Sequence, residues 1–394
     1  MSNQTFKVLI ALSQDFTGIS RLPRILKRKG IHISVLCAPH FMLSCSRFVD
    51  ERFGCSQEPA IAAETLREHL AQRPNTYATV IPGDDPLLEA LAKRSGENWV
   101  RDILPVDLNK VPASFVYSKS TFVQTFQNST VPFPRSRVGT SLDEAVLAAS
   151  ELGQPFIFKE DSGFAGTGVR LLANIEDLKA FFDRRDVKTP WIIQQEIRGR
   201  IATTDVLFDR GVPRAWASSL VVQTRNGRFG SSSIRQFTTL PDIERILADV
   251  GRITGAHGMM GLDLIVDESC DRSVTLELNC RPTAGHGVAA QVGIDFGTFL
   301  AAQFRGEPPA EHAAPVGPTL IVPMFPEDLD RAITEKDWAA LFKWACFPSY
   351  WKHMPWNDST LLMRQFNDVR LRLTNWISRG MDHRSVKTAA KGGN

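Results

Sequence analysis

Two short segments carry oxygen ligands at a spacing that suits a metal ion. Asp263 lies in one apolar run, and Glu277 and Asn279 stand two residues apart in another. Alternation along a strand places Glu277 and Asn279 on one face. Neighbouring strands would bring the three together, and Mg²⁺ is commonly held by one or two carboxylates together with nucleotide phosphates. The alternative is a solvated strand face with cross-strand ion pairs.

Arg281 follows the second run, two residues after Asn279. If the chain stays extended, the guanidinium shares the face of Glu277 and Asn279. At that place it would face a phosphoryl group in transfer, where negative charge needs stabilising.

A glycine-rich loop and two lysines form a candidate phosphate site. Lys159 ends a predicted strand over 156–158, and Lys119 precedes it in the chain. The loop over 161–168 contains Gly163, Gly166, Thr167 and Gly168. Glycines let backbone N–H groups approach phosphate oxygens, and a lysine adds a point charge. The loop lacks the Gly-Lys-Ser/Thr ending of a P-loop, and a surface hairpin with flexible glycines is the other interpretation.

A strand end lies between these two constellations. The apolar run 191–193 leads into Gln194, Gln195, Glu196 and Ile197. Such an edge can offer backbone N–H and C=O groups to an adenine ring. On composition alone it is only a strand end.

The first part of the chain alternates strands with helices. We expect strands over 7–12, 31–37 and 78–81, and helices over 19–29, 59–72 and 86–94. Such alternation predicts an open parallel α/β domain over residues 1–110. Its first strand-to-helix turn has one glycine where a dinucleotide site needs three. Asp84 and Asp85 follow the third strand and could hold a polar substrate, or simply cap a helix.

The rest of the chain predicts a mixed α+β region followed by helices. Residues 111–158 are helix-rich, and several strands with two covering helices follow up to about residue 304. Prolines between 308 and 318 predict a linker, and helices are expected over 334–347 and 358–377. The predicted domains after the first are therefore 111–305, a helical Trp-rich extension over 306–378, and a disordered tail over 379–394.

Composition and charge exclude several classes of protein. The 394 residues carry 46 Lys and Arg against 43 Asp and Glu, a net charge of +3. The tail from residue 378 alone carries +3, so the body is neutral and nucleic-acid binding is not expected. The six cysteines form no C-x-x-C motif, which excludes the common zinc and thioredoxin patterns and suits a reducing compartment. Without a long apolar run or signal sequence, we expect a cytoplasmic protein.

In order and spacing these segments resemble the ATP-grasp superfamily, from about residue 109 to 303. The resemblance rests on Ser118-Lys119, on the 155–159 strand with its glycine loop, on 195–199 and on 276–282. It implies a fold of two α+β subdomains behind a preceding α/β domain. It implies ATP and Mg²⁺ as cofactors, with Mn²⁺ as an alternative, and activation of a carboxylate as an acyl phosphate.

The resemblance also implies roles for individual residues. Lys119 and Lys159 would contact the phosphates and the adenine region, and residues 163–168 would close over the phosphates. Gln195, Glu196 and Ile197 would form the adenine hinge. Asp263, Glu277 and Asn279 would hold one or two Mg²⁺, and Arg281 would steady the acyl phosphate.

One position departs from the family pattern. Many members carry a Glu two residues after the hinge glycine, where it contacts the ribose, but Ile201 stands there in this chain. Asp205 is the candidate replacement.

Two further residues are candidates for the substrate side. Arg235, in a polar segment, could clamp a carboxylate bidentately, or could be a solvated loop charge. His286 follows the metal strand closely and could contact the second substrate or an acyl phosphate. A turn histidine without a role is the alternative.

Aromatic residues crowd the extension between Trp338 and Trp356, with Lys343 and Lys352 among them. An interfacial patch for a membrane or lipid substrate and a protein-partner surface are two interpretations. We favour a third, in which the helices pack their aromatic residues on the ATP-grasp core.

We therefore expect an ATP- and Mg²⁺-dependent ligase that joins a small carboxylate to an amine. An ATP-grasp enzyme with a different nucleophile, or a non-catalytic ATP sensor or scaffold, is the alternative. Neither the acid nor the amine can be read from the sequence, and the oligomeric state is open.

Overall fold

Three β-sheets organise the residues that the computed structural model describes, which are 6–163, 166–184, 186–187, 190–225, 227–307, 319–372 and 374. The first sheet is parallel, and the other two are antiparallel. The fold class expected from the sequence is confirmed: an open parallel α/β domain, an α+β region in two parts and a helical C-terminal extension.

The first sheet is built from four parallel strands in the order β3-β2-β1-β4. Its strands are β1 Lys7–Ala11, β2 His32–Cys37, β3 Glu51–Gly54 and β4 Thr79–Pro82. The central strand β1 is an apolar run buried on both faces, as parallel sheets require. The edge strand β3 was not predicted, because its sequence Glu-Arg-Phe-Gly alternates without an apolar run.

The helices of this part lie close to their predicted bounds. They are α1 Leu22–Lys27, α2 Pro59–Ala71, α3 Asp85–Ala92 and the short α4 Asn98–Arg101. Proline stands in the first turn of the first three, where its missing N–H costs no helical hydrogen bond.

The second sheet has the order β5-β8-β6-β7 and carries the glycine loop. Its strands are β5 Ser136–Gly139, β6 Phe156–Glu160, β7 Val169–Leu172 and β8 Trp191–Gln195. The helices beside it are α5 Lys119–Phe126, α6 Leu142–Leu152 and α7 Ile175–Asp183. Phe156, Phe158 and Trp191 fill the core of this layer. A capping box formed by Ser141 and Glu144 begins α6.

The third sheet is the largest, with the order β13-β12-β9-β10-β11-β14. Its strands are β9 Gly199–Asp209, β10 Val212–Thr224, β11 Ser232–Phe237, β12 Gly258–Asp267, β13 Arg272–Asn279 and β14 Leu320–Pro323. Helices α8 Ile243–Thr254 and α9 Phe296–Phe304 pack on it.

The last strand of this sheet corrects one predicted boundary. β14 pairs antiparallel with β11, so residues 320–323 belong to the large sheet and not to a helical extension that begins at 306. The expected linker at 308–318 lies outside the described residues. The helices that follow are α10 Glu327–Thr334, α11 Trp338–Cys346, α12 Pro348–Trp351 and α13 over 359–372. The predicted tail also lies outside the described residues.

The extension packs only part of its aromatic residues. Trp344 joins Phe325, Met354 and Leu362 in a small buried cluster. Trp338, Phe342 and Trp356 instead lie on the surface. The expectation that these helices pack their aromatic residues on the ATP-grasp core is therefore wrong for most of them, which are exposed. Trp344 is buried, but in a cluster formed within the extension itself.

Two findings bear on the expected cellular setting. All six cysteines are free thiols. Among the residues with described structure, no helix combines the length and apolarity needed to cross a membrane.

Asp84 ties β1 to the start of α3. Its buried carboxylate accepts hydrogen bonds from the Ser13 N–H at 2.7 Å, the Ser13 hydroxyl at 2.8 Å and the Leu87 N–H at 2.9 Å. Of the two roles left open for Asp84, the structure shows the helix cap.

We expect Asp84→Ala to lower the free energy of unfolding by about 2–4 kcal/mol, since it removes an N-cap and leaves buried N–H groups without an acceptor. Urea denaturation measures the loss. Asp143→Ala, an exposed acid in the first turn of α6, is the control, with an expected change within about 0.5 kcal/mol. Equal losses for the two variants would contradict this role of Asp84.

Candidate functional site

The three predicted oxygen ligands lie together on one face of the large sheet. β12 and β13 are antiparallel neighbours, and their register sets Asp263 directly opposite Glu277. The Asn279 side-chain amide donates a hydrogen bond to Asp263 Oδ2 at 3.0 Å. Two carboxylates and the Asn279 amide group therefore lie together, as the strand pattern predicted.

The environment of these carboxylates suits a cation. Burial, and then the facing Glu277, raise the pKa of Asp263 to about 6, against hydrogen bonds from Asn279 and Thr203. Within the described ranges, no group of three or more His, Cys, Asp or Glu side chains could hold a metal ion. Two carboxylates and an amide fit a cation such as Mg²⁺ only if a ligand or water supplies further oxygens, which is how Mg²⁺ is usually bound.

Both predicted lysines reach the same place. Lys119 Nζ lies 3.9 Å from Glu277 Oε1 and donates a hydrogen bond to the Gly163 carbonyl oxygen at 2.6 Å. Burial lowers the pKa of Lys159 to about 8, although nearby Glu277 acts to raise it. Two ammonium groups and two carboxylates thus stand around one small volume.

Asp161 holds β6, which carries Lys159, against the start of α5, which carries Lys119. The sequence did not single it out. Its Oδ1 accepts hydrogen bonds from the Ser118 hydroxyl at 3.0 Å and the Ser120 N–H at 2.6 Å. Its carbonyl oxygen accepts one from the Lys119 N–H at 3.2 Å. Because Asp161 follows β6 directly, it joins the end of the Lys159 strand to the first turn of α5.

The glycine loop needs its glycines for backbone conformation and for close approach. Gly163, Gly166 and Gly168 all have positive φ, at 133°, 77° and 79°. A Cβ at Gly166 would overlap the carbonyl oxygen of Phe229, in the turn between β10 and β11. Thr167 is exposed beside them. Residues 164 and 165 lie outside the described part of the chain.

The predicted hinge joins the second sheet to the third. Gln195 ends β8, and its N–H donates to the Arg135 carbonyl oxygen at 2.9 Å. Glu196 and Ile197 follow and lead into β9. Arg228 Nη2 lies 2.9 Å from Glu196 Oε1, so the β10–β11 turn contacts the hinge as well as the glycine loop.

Arg281 is held by the first domain. Its Nε and Nη2 donate to the two carboxylate oxygens of Asp85, each at 2.7 Å. The guanidinium carbon lies 4.5 Å from the centre of the Phe16 ring. Asp85 begins α3 just after β4, and Phe16 lies in the loop after β1. Both therefore stand at the carboxyl ends of the strands, the edge at which open α/β sheets bind ligands. The aspartate pair after β4 was the signal for Asp85, and nothing in the sequence pointed to Phe16.

Arg235, Asp205 and His286 meet in a buried network that begins beside the site. Arg235 Nη1 lies 3.1 Å from Asp205 Oδ2, and the Thr283 hydroxyl donates to Asp205 Oδ1. His286 Nδ1 lies 3.5 Å from Asp205 Oδ1, and its Nε2 lies 3.2 Å from the Val206 carbonyl oxygen. All four side chains are buried or nearly so.

This network corrects two expectations. Asp205 does not reach the hinge as a replacement ribose contact, because both its oxygens are occupied by Arg235 and Thr283 in the middle of the sheet. His286 caps the turn after Arg281 and packs against Phe296, so the structure does not bring it to the cleft. The sequence could not show this, because the partners lie about 30 to 80 residues apart in the chain.

The fold and this site point to one class of protein, and comparison with known proteins confirms that class. Residues 116–285 match the family model described as an ATP-grasp domain, so this part of the chain is an ATP-grasp domain and the resemblance read from the sequence holds.

The individual proteins that this chain resembles are only distantly similar to it in sequence. The carbamoyl phosphate synthase large chain of Pseudarthrobacter chlorophenolicus is 22% identical over 297 residues, which are 70% of this chain and 26% of that protein. The chain thus spans about a quarter or less of the length of the curated relatives it matches.

Two solved structures share the fold over most of the chain. One is the N5-carboxyaminoimidazole synthetase of Staphylococcus aureus in complex with ADP, with a TM-score of 0.63, 14% identity and coverage of 86% of this chain and 87% of that one. The other is the biotin carboxylase domain of the Hydrogenobacter thermophilus 2-oxoglutarate carboxylase, with MgADP, ADP and bicarbonate. Its TM-score is 0.60 at 19% identity, covering 77% of this chain and 71% of that one.

The buried ion pair of the network gives a stability prediction. Arg235→Met leaves the Asp205 carboxylate buried without its cationic partner and should lower the free energy of unfolding by about 3–5 kcal/mol. Arg214→Met removes a partly exposed pair with Asp209, and this control should lose only about 0–1 kcal/mol. Chemical denaturation of both variants measures the difference, and similar losses would show that the buried pair has no special weight.

His286 gives a pH prediction. Burial lowers its pKa, so the folded chain keeps the ring neutral where the unfolded chain, with an ordinary value of about 6.5, takes up a proton. The stability from this residue is therefore present above about pH 6.5 and falls as the pH drops below it.

We expect the difference in free energy of unfolding between the natural chain and His286→Asn to shrink as the pH is lowered from neutral to about 5, by up to about 1.4 kcal/mol per pH unit. Denaturant titrations at several pH values measure it. A difference that stays constant over that range would show that His286 does not titrate in this way.

Proposed function

We propose that this chain is an ATP- and Mg²⁺-dependent ligase, with Mn²⁺ as an alternative cation, that activates a small carboxylate as an acyl phosphate for attack by an amine. The observation that carries the proposal is the meeting of Lys119 and Lys159 with Asp263 and Glu277 at one position. Such a site holds cations through its carboxylates and phosphates through its lysines.

The phosphates of ATP would lie between the lysines and the glycine loop. Lys119 already bonds the carbonyl of Gly163, so its ammonium stands at the mouth of the loop. Lys159, with its pKa lowered to about 8 by burial, has few waters to lose when a phosphate approaches. The adenine would lie at Gln195, Glu196 and Ile197, where the chain passes from one sheet to the other.

Asp263, Glu277 and Asn279 would hold Mg²⁺. The bound cation would neutralise phosphate charge and so lower the barrier to phosphoryl transfer. The protein's own contribution is to keep two carboxylates opposed across a strand pair, with Asn279 fixing the orientation of Asp263.

Arg281 is the residue we assign to the acyl phosphate. It lies at the junction of the first domain and the ATP-grasp domain, where Asp85 fixes its guanidinium plane through two hydrogen bonds. Arg235 we place as a support, because its guanidinium pairs with Asp205 and thereby with the turn after Arg281. The acid and the amine would enter where the first domain faces the large sheet.

The solved neighbours support the nucleotide part of the proposal. The Staphylococcus aureus synthetase was solved with ADP, and the Hydrogenobacter thermophilus domain with MgADP, ADP and bicarbonate. The neighbours do not bear on the choice between an amine and another nucleophile, and attack by an amine stays a proposal. We also propose a cytoplasmic location, which suits six free thiols.

A panel assay tests the reaction class. Purified protein is incubated with ATP, Mg²⁺ and pairs drawn from amino acids, other small carboxylates and bicarbonate, and phosphate release is measured with and without each partner. Release of ADP and phosphate that needs both an acid and an amine supports the ligase. Release that needs bicarbonate or a different nucleophile would contradict the amine, and tight ATP binding without release across the panel would indicate a sensor.

We expect Glu277→Gln to lower phosphate release by about 100-fold or more, since one of the two carboxylates facing the cation is lost. Glu268→Gln is the matched control, because Glu268 is exposed in the turn between the same two strands and should leave the rate unchanged. Thermal melting of both variants shows that they fold. Unchanged turnover in Glu277→Gln would refute the assignment of the metal site.

A further inference from the structure

The exposed side of the C-terminal extension carries aromatic side chains that the candidate site does not use. Helix α11 buries only Ala340 and Trp344. On its other side Trp338 is 73% exposed and Phe342, one turn later, is 61% exposed. Large aromatic residues seldom lie this open without a partner of some kind.

Three aromatic residues that follow, Phe347, Trp351 and Trp356, are exposed as well. The Phe342 and Phe347 ring centres lie 6.1 Å apart. Trp351 and Trp356 are also exposed, and each indole contacts the tryptophan before it. We call these five exposed side chains the aromatic face: Trp338, Phe342, Phe347, Trp351 and Trp356.

The charge around the aromatic face is positive. Residues 338–356 contain no Asp or Glu, whereas Lys343 and Lys352 are both exposed. The acids just before the face, Glu335 and Asp337, both pair with Arg331, although their carboxylates stay partly exposed. No ion pair within the described residues joins Lys343 or Lys352 to a carboxylate.

Two of the tryptophans have their polar atom satisfied already. The Trp351 indole N–H donates to the Trp344 carbonyl oxygen at 2.6 Å, and the Trp356 indole N–H donates to the Trp351 carbonyl oxygen at 2.6 Å. These rings can therefore enter an apolar phase without leaving a donor unpaired, which is the main cost of burying tryptophan.

We propose that the aromatic face docks on the surface of a bilayer that contains anionic lipids. The aromatic rings enter the boundary between headgroups and acyl chains, and Lys343 and Lys352 face the lipid phosphates. Aromatic residues with lysines and without acids are the composition of interfacial helices.

A lipid surface fits this composition better than a protein partner does. Protein interfaces are depleted of lysine at their core and use arginine instead. The two charged residues that lie between the aromatic ones in the sequence, Lys343 and Lys352, are both lysines. The enzyme would then meet a substrate that is itself held at the membrane, or would simply concentrate there.

Sedimentation of the full-length protein with vesicles tests the proposal. We expect binding to vesicles of phosphatidylcholine and phosphatidylglycerol, and weaker binding to phosphatidylcholine alone or at high salt. The double variant Trp338→Ser, Phe342→Ser should lower the affinity for the anionic vesicles by about tenfold or more. Because this variant retains the basic residues after 378, such a loss assigns the binding to the aromatic face.

A matched control replaces an exposed apolar residue elsewhere. Leu147→Ser on α6 should bind vesicles as the natural chain does. Absence of binding to anionic vesicles, or equal binding by the double variant, would overturn the proposal. So would a dimer that the double variant dissociates while vesicles do not bind, because the face would then join two copies of the chain.

Discussion

The facing of Asp263 and Glu277 across one pair of strands is the constraint on which this structure depends. Two carboxylates held this close repel each other, and burial adds to the cost of charging both. Cations must therefore be near, and the chain brings Lys159 from the second sheet and Lys119 from the start of α5 to meet them. The glycine loop, the hinge and the hydrogen bonds of Asp161 lie where the second sheet and the large sheet must be held together.

A second constraint joins the first domain to this site. Arg281 follows the last residue of β13 in the large sheet, but its partners Asp85 and Phe16 come from the segments that follow β4 and β1 of the parallel sheet. The bidentate pair with Asp85 fixes the plane of the guanidinium group. The first domain is thus part of the site's construction, although the family match covers only residues 116–285.

Much of this could be predicted from sequence, because the signals were local. Strands with apolar runs, helices with capping residues and the E-x-N-x-R segment all act within a few residues of the chain. The parallel sheet, the oxygen ligands on one face and the lysine positions were found in this way. Asp205 and His286 were misjudged because their roles depend on Arg235, Thr283 and Val206, which only the folded sheet brings to them. The edge strands β3 and β14 were missed for a related reason, since an edge needs no strong apolar pattern of its own.

The late strand β14 has a consequence for how the protein can be divided. The chain completes the large sheet only after residues 308–318, when β14 pairs with β11. A truncation at about residue 305 would strip β11 of its neighbour and present its free N–H and C=O groups to other molecules. The start of the extension is therefore a structural part of the large sheet, and a shortened chain would expose an unpaired strand edge through which it could aggregate.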